Sequence, residues 1–381
     1  MKKIHAPDYP FIITTAILLL FGFIILSSAS SVIGFERFGD TFFYLKKQLL
    51  FGLVPGIILM LILSKIDYHL WRKYSHWLML ASVGLLAAVF IPGIGAEFGG
   101  SKSWLIIGSI SVQPAEVVKL TFLLYLAAWL ERRSAGIKQV SYGLIPFTVI
   151  LGLIALLVIL QPDVGTVSII IIMSLAVYFA AGAPWSHLLA MTAGLVAGLY
   201  GLIKIAPYRA ARLAVFFDPA LDTQGIGYHL KQSLLAIGSG GIFGLGLGHS
   251  RQKFAYLPEA AGDSIFAIAA EELGFLLTVA LIVLFVYFIM RGLRIARYAP
   301  DLYGRLVATG IITWLGWQAI VNIGAMLGLL PITGIPLPFI SYGGTALTII
   351  LASVGILINI SKQTGHRVPV SSKSSFRRFN K

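Results

Sequence analysis

Long apolar runs, separated by short polar stretches and punctuated by Pro and Gly, recur along the whole chain. Two of them, 145–160 and 164–181, approach the roughly 20 apolar residues that cross a bilayer. Hydropathy and punctuation place ten such spans, at about 10–33, 45–64, 76–94, 113–131, 142–160, 164–182, 185–205, 263–290, 305–330 and 339–361. The expected fold is an all-α polytopic membrane protein, one integrated domain over 1–361 followed by a basic tail at 362–381. The first run, 11–30, lacks a small-residue cleavage site and is followed by further spans, so it reads as a retained helix rather than a secretory signal. No internal repeat stands out, which weighs against an inverted-repeat transporter.

One polar segment is much longer than the others. Residues 206–262 separate spans seven and eight, and a loop of that length is usually functional or disordered. Its apolar stretch at 230–247 and its many glycines argue against disorder, so a large folded extracytoplasmic loop is expected there.

Composition agrees with the pattern: 58% of the 381 residues are hydrophobic and 12% charged, where soluble domains carry about 25% charged residues. The absence of cysteine excludes a disulfide framework and a thiolate metal site. A net charge of +14 would suggest nucleic acid for a soluble protein, but here its distribution matters more. Most of the 29 Lys and Arg fall in alternate connections and at both ends, among them Lys65, Arg72, Arg132, Arg133, Arg291, Arg294, Arg297, Arg305 and Lys362. The positive-inside bias then puts both termini in the cytoplasm, with the tail held near anionic membrane lipids and no nucleic-acid partner.

Ionisable groups within or beside apolar spans are costly, so each is a candidate for function. Asp263 follows Gly262 where the eighth apolar run begins, and helix capping alone would account for it. Yet on a helix it shares a face with Phe266, Ala267, Ala270 and Gly274, a mostly small surface suited to tight packing or to lining a space. Glu259 precedes it, and Glu271 and Glu272 follow about 12–14 Å further along, where a buried cation could pair with them. Glu116 and Lys119 are i,i+3 neighbours able to form an ion pair, and Lys119 could also face an anionic ligand. Asp163, after Pro162, reads as a helix cap. Arg209 and Arg212, again i,i+3, lie beside the outer surface and suit either lipid headgroups or bidentate grip on a phosphate.

Other signals are weaker. The glycine run at 238–248 lacks the Lys of a P-loop and any βαβ surroundings, so flexibility or close packing is its plain reading. The seven histidines are scattered, without metal-ligand spacing. The residues alone therefore leave two classes open, an external-face enzyme acting on a lipid-linked anion or a transporter for one.

Four stretches taken together carry a resemblance: "GSKSWLIIGSISVQPAEVVKL", "QPDVGT", the segment from "YRAARLAVFFDP" through "YLPEAAGDSIFAIAAEELGF", and "NIGAMLGLLPITGIPLPFISYGGTA". They resemble the SEDS family of cell-wall proteins, whose members include FtsW, RodA and SpoVE, and "PYRAARLAVFFDP" leans towards its division branch. The resemblance implies a peptidoglycan glycosyltransferase that polymerises lipid II and releases undecaprenyl pyrophosphate, with Asp263 as its essential acid. Arg209, Arg212, Lys119 and, more weakly, Lys102 become candidates to bind pyrophosphate, with Glu116, Glu259, Glu271 and Asp163 in support. Mg2+ or Mn2+ could assist; no organic cofactor is implied. The implied partners are lipid II, the undecaprenyl-linked glycan and a class B penicillin-binding protein. A lipid II flippase and a non-catalytic division scaffold are the alternatives. Two departures from the family pattern stand out: Ala261-Gly262 before Asp263, where His-Thr is common, and Ser103 before Trp104, where Arg is common.

Overall fold

The computed structural model describes residues 5–98, 101–108, 110–205, 214–218, 221–222, 225–254 and 256–364. A helix stands at each of the ten expected apolar segments: α1 Tyr9–Ala29, α2 Phe43–Lys65, α3 Ser75–Ala88, α4 Pro114–Arg133, α5 Val140–Ile159, α6 Val164–Ala180 and α7 Trp185–Ile205 come first. After α8 (Ile226–Ser239) in the long loop come α9 Ile265–Arg297, α10 Leu302–Met326 and α11 Gly344–Gln363. Among the described residues, α1, α2, α5, α9, α10 and α11 are long and apolar enough to cross a membrane, and α3 and α6 are shorter apolar helices. The chain is a multi-pass membrane protein. Of these six long spans, α10 and α11 are the most enclosed by their neighbours and α2 the least, and the hydrophobic core includes much of the former two.

Local chemistry sets several helix starts. Asp8 accepts from the Phe11 N–H at 3.0 Å, with Pro10 in the first turn of α1. Asp163 caps α6 through the Thr166 N–H at 2.9 Å, and Asp301 caps α10 through Gly304 at 2.8 Å.

The ends of the described chain meet at one end of the bundle. The His5 N–H donates to the Lys362 carbonyl at 2.8 Å. Arg291, near the end of α9, grips both carboxylate oxygens of Asp8 at 2.7 and 2.6 Å. Arg72 meets Glu131 at 3.0 Å at the same end, and Arg305 donates to the Ala180 carbonyl at 2.9 Å. The basic connections singled out in the sequence therefore gather on one face.

Three features depart from a simple reading of hydropathy. The first corrects the all-α expectation: β1 Gly95–Phe98, β2 Ser101–Ile107 and β3 Ile110–Val112 form a three-stranded antiparallel sheet in that order. This stretch is short, with Trp and β-branched residues between glycines, and such strands leave no trace in a window sized for bilayer spans. Second, α9 continues to Arg297, so Arg291 and Arg294 lie on a helix instead of a loop.

Third, α9 is broken. Gly274 sits at φ 74, ψ −178, outside helical space. The break frees backbone groups that a membrane interior cannot satisfy. The glycine run supplies the partners: Leu245 and Gly246 N–H groups donate to the Glu271 and Glu272 carbonyls, each at 3.0 Å. In return, Phe275 and Leu276 N–H groups donate to the Gly241 and Ile242 carbonyls at 2.9 and 3.2 Å. A Cβ on Gly274 would stand 2.2 Å from the Gly244 nitrogen, so only glycine fits.

Candidate active site

Asp263 lies two residues before α9, in a turn held from every side. Asn322 of α10 donates through Nδ2 to the Asp263 carbonyl at 2.7 Å and to the Ile335 carbonyl at 2.8 Å. Ser341 Oγ donates to the Gly262 carbonyl at 2.7 Å, and the Tyr342 N–H to that of Ala261 at 2.9 Å. Within the turn, Gly262 and Ser264 N–H groups donate to the Glu259 carbonyl at 2.8 and 3.2 Å. Glu259 itself is exposed and sits at φ 48, a conformation that costs a non-glycine residue about 1–3 kcal/mol and tends to mark functional turns.

The N-cap of α9 is Ser264, and no side chain makes a capping hydrogen bond there. Capping is therefore not what Asp263 does. The residue is only 9% exposed. Burial pushes its pKa from the usual 3.8 up to about 7, and the nearby Glu259 charge adds to the rise, while backbone N–H groups and the Ser264 hydroxyl oppose it. Gly334, at φ +72, faces it: a Cβ there would lie 4.0 Å from Asp263 Oδ2. A carboxyl group so placed titrates near neutrality, which suits a general base.

The segment between α10 and α11 forms the cradle. Ser341 Oγ accepts the Leu337 N–H at 2.7 Å while it donates to Gly262. Gln48 of α2 accepts from the Gly343 N–H at 2.9 Å. Phe339 packs edge-on against Phe288 of α9 with ring centroids 5.3 Å apart. This irregular backbone is tolerated inside the bundle because its polar groups find protein partners.

Lys119 and Glu116 form the ion pair, 2.7 Å apart with both side chains buried. Lys119 also donates to Gln318 Oε1 at 3.1 Å and lies 4.9 Å from the Trp314 ring centroid. Lys119 is fully enclosed, so its ammonium is held by these protein partners. Through Gln318 it reaches the acid indirectly. Gln318 Nε2 donates to the Pro336 carbonyl at 2.8 Å, beside the Ile335 carbonyl that Asn322 holds.

Glu271 and Glu272 lie deeper along α9. Glu271 accepts from the Ser250 hydroxyl and from the Arg251 and Gln252 N–H groups at 3.0 and 3.3 Å. Glu272 pairs with buried Lys253 at 3.0 Å and accepts from Ser28 of α1 at 2.7 Å. Both acids therefore fasten the returning loop to the helices. Asp163 is spent as a helix cap. Arg209 and Arg212 lie outside the described residues, and of Lys102 only the backbone, in β2, is described.

Sequence reasoning missed Asn322, Gln318, Ser341 and His229, whose ring nitrogen Nε2 lies 2.6 Å from Ser264 Oγ. Uncharged polar residues in spans give no charge signal. The stretch containing Ser341 drew notice only through family resemblance.

Comparison with known proteins gives a consistent picture. The family model FtsW/RodA/SpoVE, described as "Cell cycle protein", matches residues 9–366. The chain is 43% identical over 360 residues to stage V sporulation protein E of Bacillus subtilis, covering 94% of this chain and 98% of that one. It is 39% identical over 363 residues to the probable peptidoglycan glycosyltransferase FtsW of Geobacter sp. (strain M18), covering 95% and 98% respectively. Among solved structures, a chain from "Structural coordination of polymerization and crosslinking by a peptidoglycan synthase complex" aligns with a TM-score of 0.78 at 28% identity, covering 95% of this chain and 99% of that one. The rod shape determining protein RodA of Thermus thermophilus aligns at 0.69 and 28% identity, covering 94% and 98%.

Proposed function

The chain belongs to the FtsW, RodA and SpoVE family of cell cycle proteins, and from that membership we infer that it is a peptidoglycan glycosyltransferase with Asp263 as its general base. The observation that carries the assignment is a buried carboxyl, raised to about 7, on a turn pinned by α10 and the 331–343 segment. The substrate we assign is lipid II. The acceptor GlcNAc 4-hydroxyl, losing its proton to Asp263, attacks the anomeric carbon of the donor MurNAc. Undecaprenyl pyrophosphate leaves from the opposite face, so an α-linked donor gives a β-1,4 product in one inverting step. General-base help of this kind is typically worth about 10²–10⁴-fold.

Negative charge develops on the pyrophosphate. Arg209 and Arg212 are assigned to grip it from their i,i+3 spacing and the fit of guanidinium to phosphate. Lys102 is a further candidate. Among the described residues no group of three His, Asp or Glu gathers that could hold Mg2+ or Mn2+.

We place the protein in the bacterial cytoplasmic membrane with ten crossings, both termini inside and 206–262 outside. The shared basic end of the bundle and the alternating Lys and Arg support this orientation. The domain assignment follows: one transmembrane unit over 1–361 and a cytoplasmic tail at 362–381. Identity of 39% with a relative named FtsW, against 28% with the rod shape determining protein RodA, supports a role in division over elongation. The solved synthase complex supports a crosslinking partner, which we assign as a class B penicillin-binding protein.

The test uses the chain purified with a cognate transpeptidase shown to lack polymerase activity, supplied with lipid II and a divalent cation. Glycan length is followed on a gel for wild type, Asp263→Asn and Asp263→Ala. Polymer from wild type alone supports the assignment. Equal polymer from all three removes Asp263 from the chemistry, and none from any returns the flippase and scaffold alternatives.

A further inference from the structure

Resting on the assignment of Asp263 as base, we propose that His229 is a positioning residue for glycan polymerisation: its ring N–H holds the Ser264 hydroxyl and, through it, the turn that aims the Asp263 carboxylate.

Helix α8 runs alongside the first half of α9, with His229 in its first turn beside Ser264 and Ser239 at its far end 3.4 Å from Glu271. Ser264 is fully buried and directly follows Asp263. Its Oγ has three polar neighbours: His229 Nε2 at 2.6 Å, the Pro258 carbonyl at 2.7 Å and Asp263 Oδ1 at 3.5 Å. A hydroxyl carries one proton. The Pro258 carbonyl only accepts, so at its short distance it takes that proton. His229 must then donate, which fixes its tautomer with the proton on Nε2. Burial lowers the His229 pKa, in keeping with a neutral ring.

Two consequences follow for the acid. The Ser264 hydroxyl closes the 258–264 turn on both sides, tying the external loop helix to the residue next to the base. The same arrangement directs the Ser264 proton chiefly to Pro258, at 2.7 Å, and leaves Asp263 Oδ1 only a long, weak contact at 3.5 Å. A full hydrogen bond from Ser264 would stabilise the carboxylate and lower its basicity. His229 touches neither reacting atom; it acts through Ser264.

The experiment measures polymerisation against lipid II concentration for the complex carrying His229→Ala, His229→Gln, Ser264→Ala or His229→Ala with Ser264→Ala. Asp263→Asn runs beside them, and melting temperatures are taken on the same preparations. Misplacement of a reacting group by about 1 Å costs on the order of 10²-fold. His229→Ala is therefore expected to lower kcat about 10- to 100-fold with KM within about twofold and melting little changed. His229→Gln, which keeps an N–H donor, should recover most of the rate. Ser264→Ala added to His229→Ala should cost little more, because both act through one bond. Wild-type kcat in His229→Ala overturns the proposal. So does a raised KM at unchanged kcat, or a Gln variant as inactive as Ala with melting lost in parallel. A polymerising Asp263→Asn would instead overturn the base assignment on which it rests.

Discussion

The side-chain amide of Asn322, near the C-terminal end of α10, donates to the backbone carbonyl of Asp263 at 2.7 Å, across 59 residues of sequence. The same nitrogen donates to the Ile335 carbonyl at 2.8 Å, so one amide holds the acid-bearing turn and the segment facing it. Replacing Asn322 with Ala leaves two buried carbonyls unpaired, at about 1–3 kcal/mol each. Asn322→Ala should melt several degrees lower and polymerise at least about tenfold more slowly, since the turn that aims Asp263 is released. Thermal unfolding in detergent, measured beside the polymerisation rate, checks both.

Asp263 ties rate and stability to pH in opposite senses. In its proposed role as base it must be ionised, so the rate should rise with pH and level off above about 7, where its pKa is placed. Its folded pKa is raised, so the protonated form favours folding. That contribution is complete below the unfolded value near 3.8 and is lost as pH rises through about 7. Three pKa units set an upper bound of about 4 kcal/mol. Asp263→Asn should therefore raise the melting temperature more at pH 8 than at pH 5. Equal shifts at both would mean an ordinary carboxyl.

The Lys119–Glu116 pair predicts a different pattern. Both side chains are buried, so removing one partner strands a charge at a cost of about 3–5 kcal/mol. Lys119→Met and Glu116→Gln should each lose stability and activity together, through the Gln318 link to the cradle. The double variant should regain much of the stability, because no unpaired charge remains. Activity lost at unchanged melting would support Lys119 as a ligand-binding group.

Gly274 tests the broken helix. A methyl group there meets the Gly244 nitrogen at 2.2 Å and must adopt φ 74. Gly274→Ala should sharply reduce folded protein, whereas Gly84→Ala, where nothing lies within 4 Å, should be tolerated. Yield of monodisperse protein in detergent separates the two.

The helices were legible because a bilayer span is a local property: about 20 apolar residues in succession announce themselves without reference to any other part of the chain. The acid was legible for the same reason, since a carboxylate at the mouth of an apolar helix is conspicuous in sequence. Its cap-like appearance was misleading, because geometry gave the N-cap to Ser264 and left the Asp263 carboxyl to be raised by burial. The sheet at 95–112 escaped because three short strands are stabilised by one another rather than by any run of their own.

By itself the sequence determined the class of the protein, the sites of its helices and the identity of its conspicuous acid. Tertiary structure alone decided what surrounds that acid. The hydrogen bonds from Asn322 and Ser341 span 59 and 79 residues, and neither donor carries a charge that hydropathy would mark. It also decided which partners meet the charges of Lys119, Glu271 and Glu272. A charge in an apolar span states that a partner must exist, because isolation would be too costly. Which partner meets it depends on how distant helices pack.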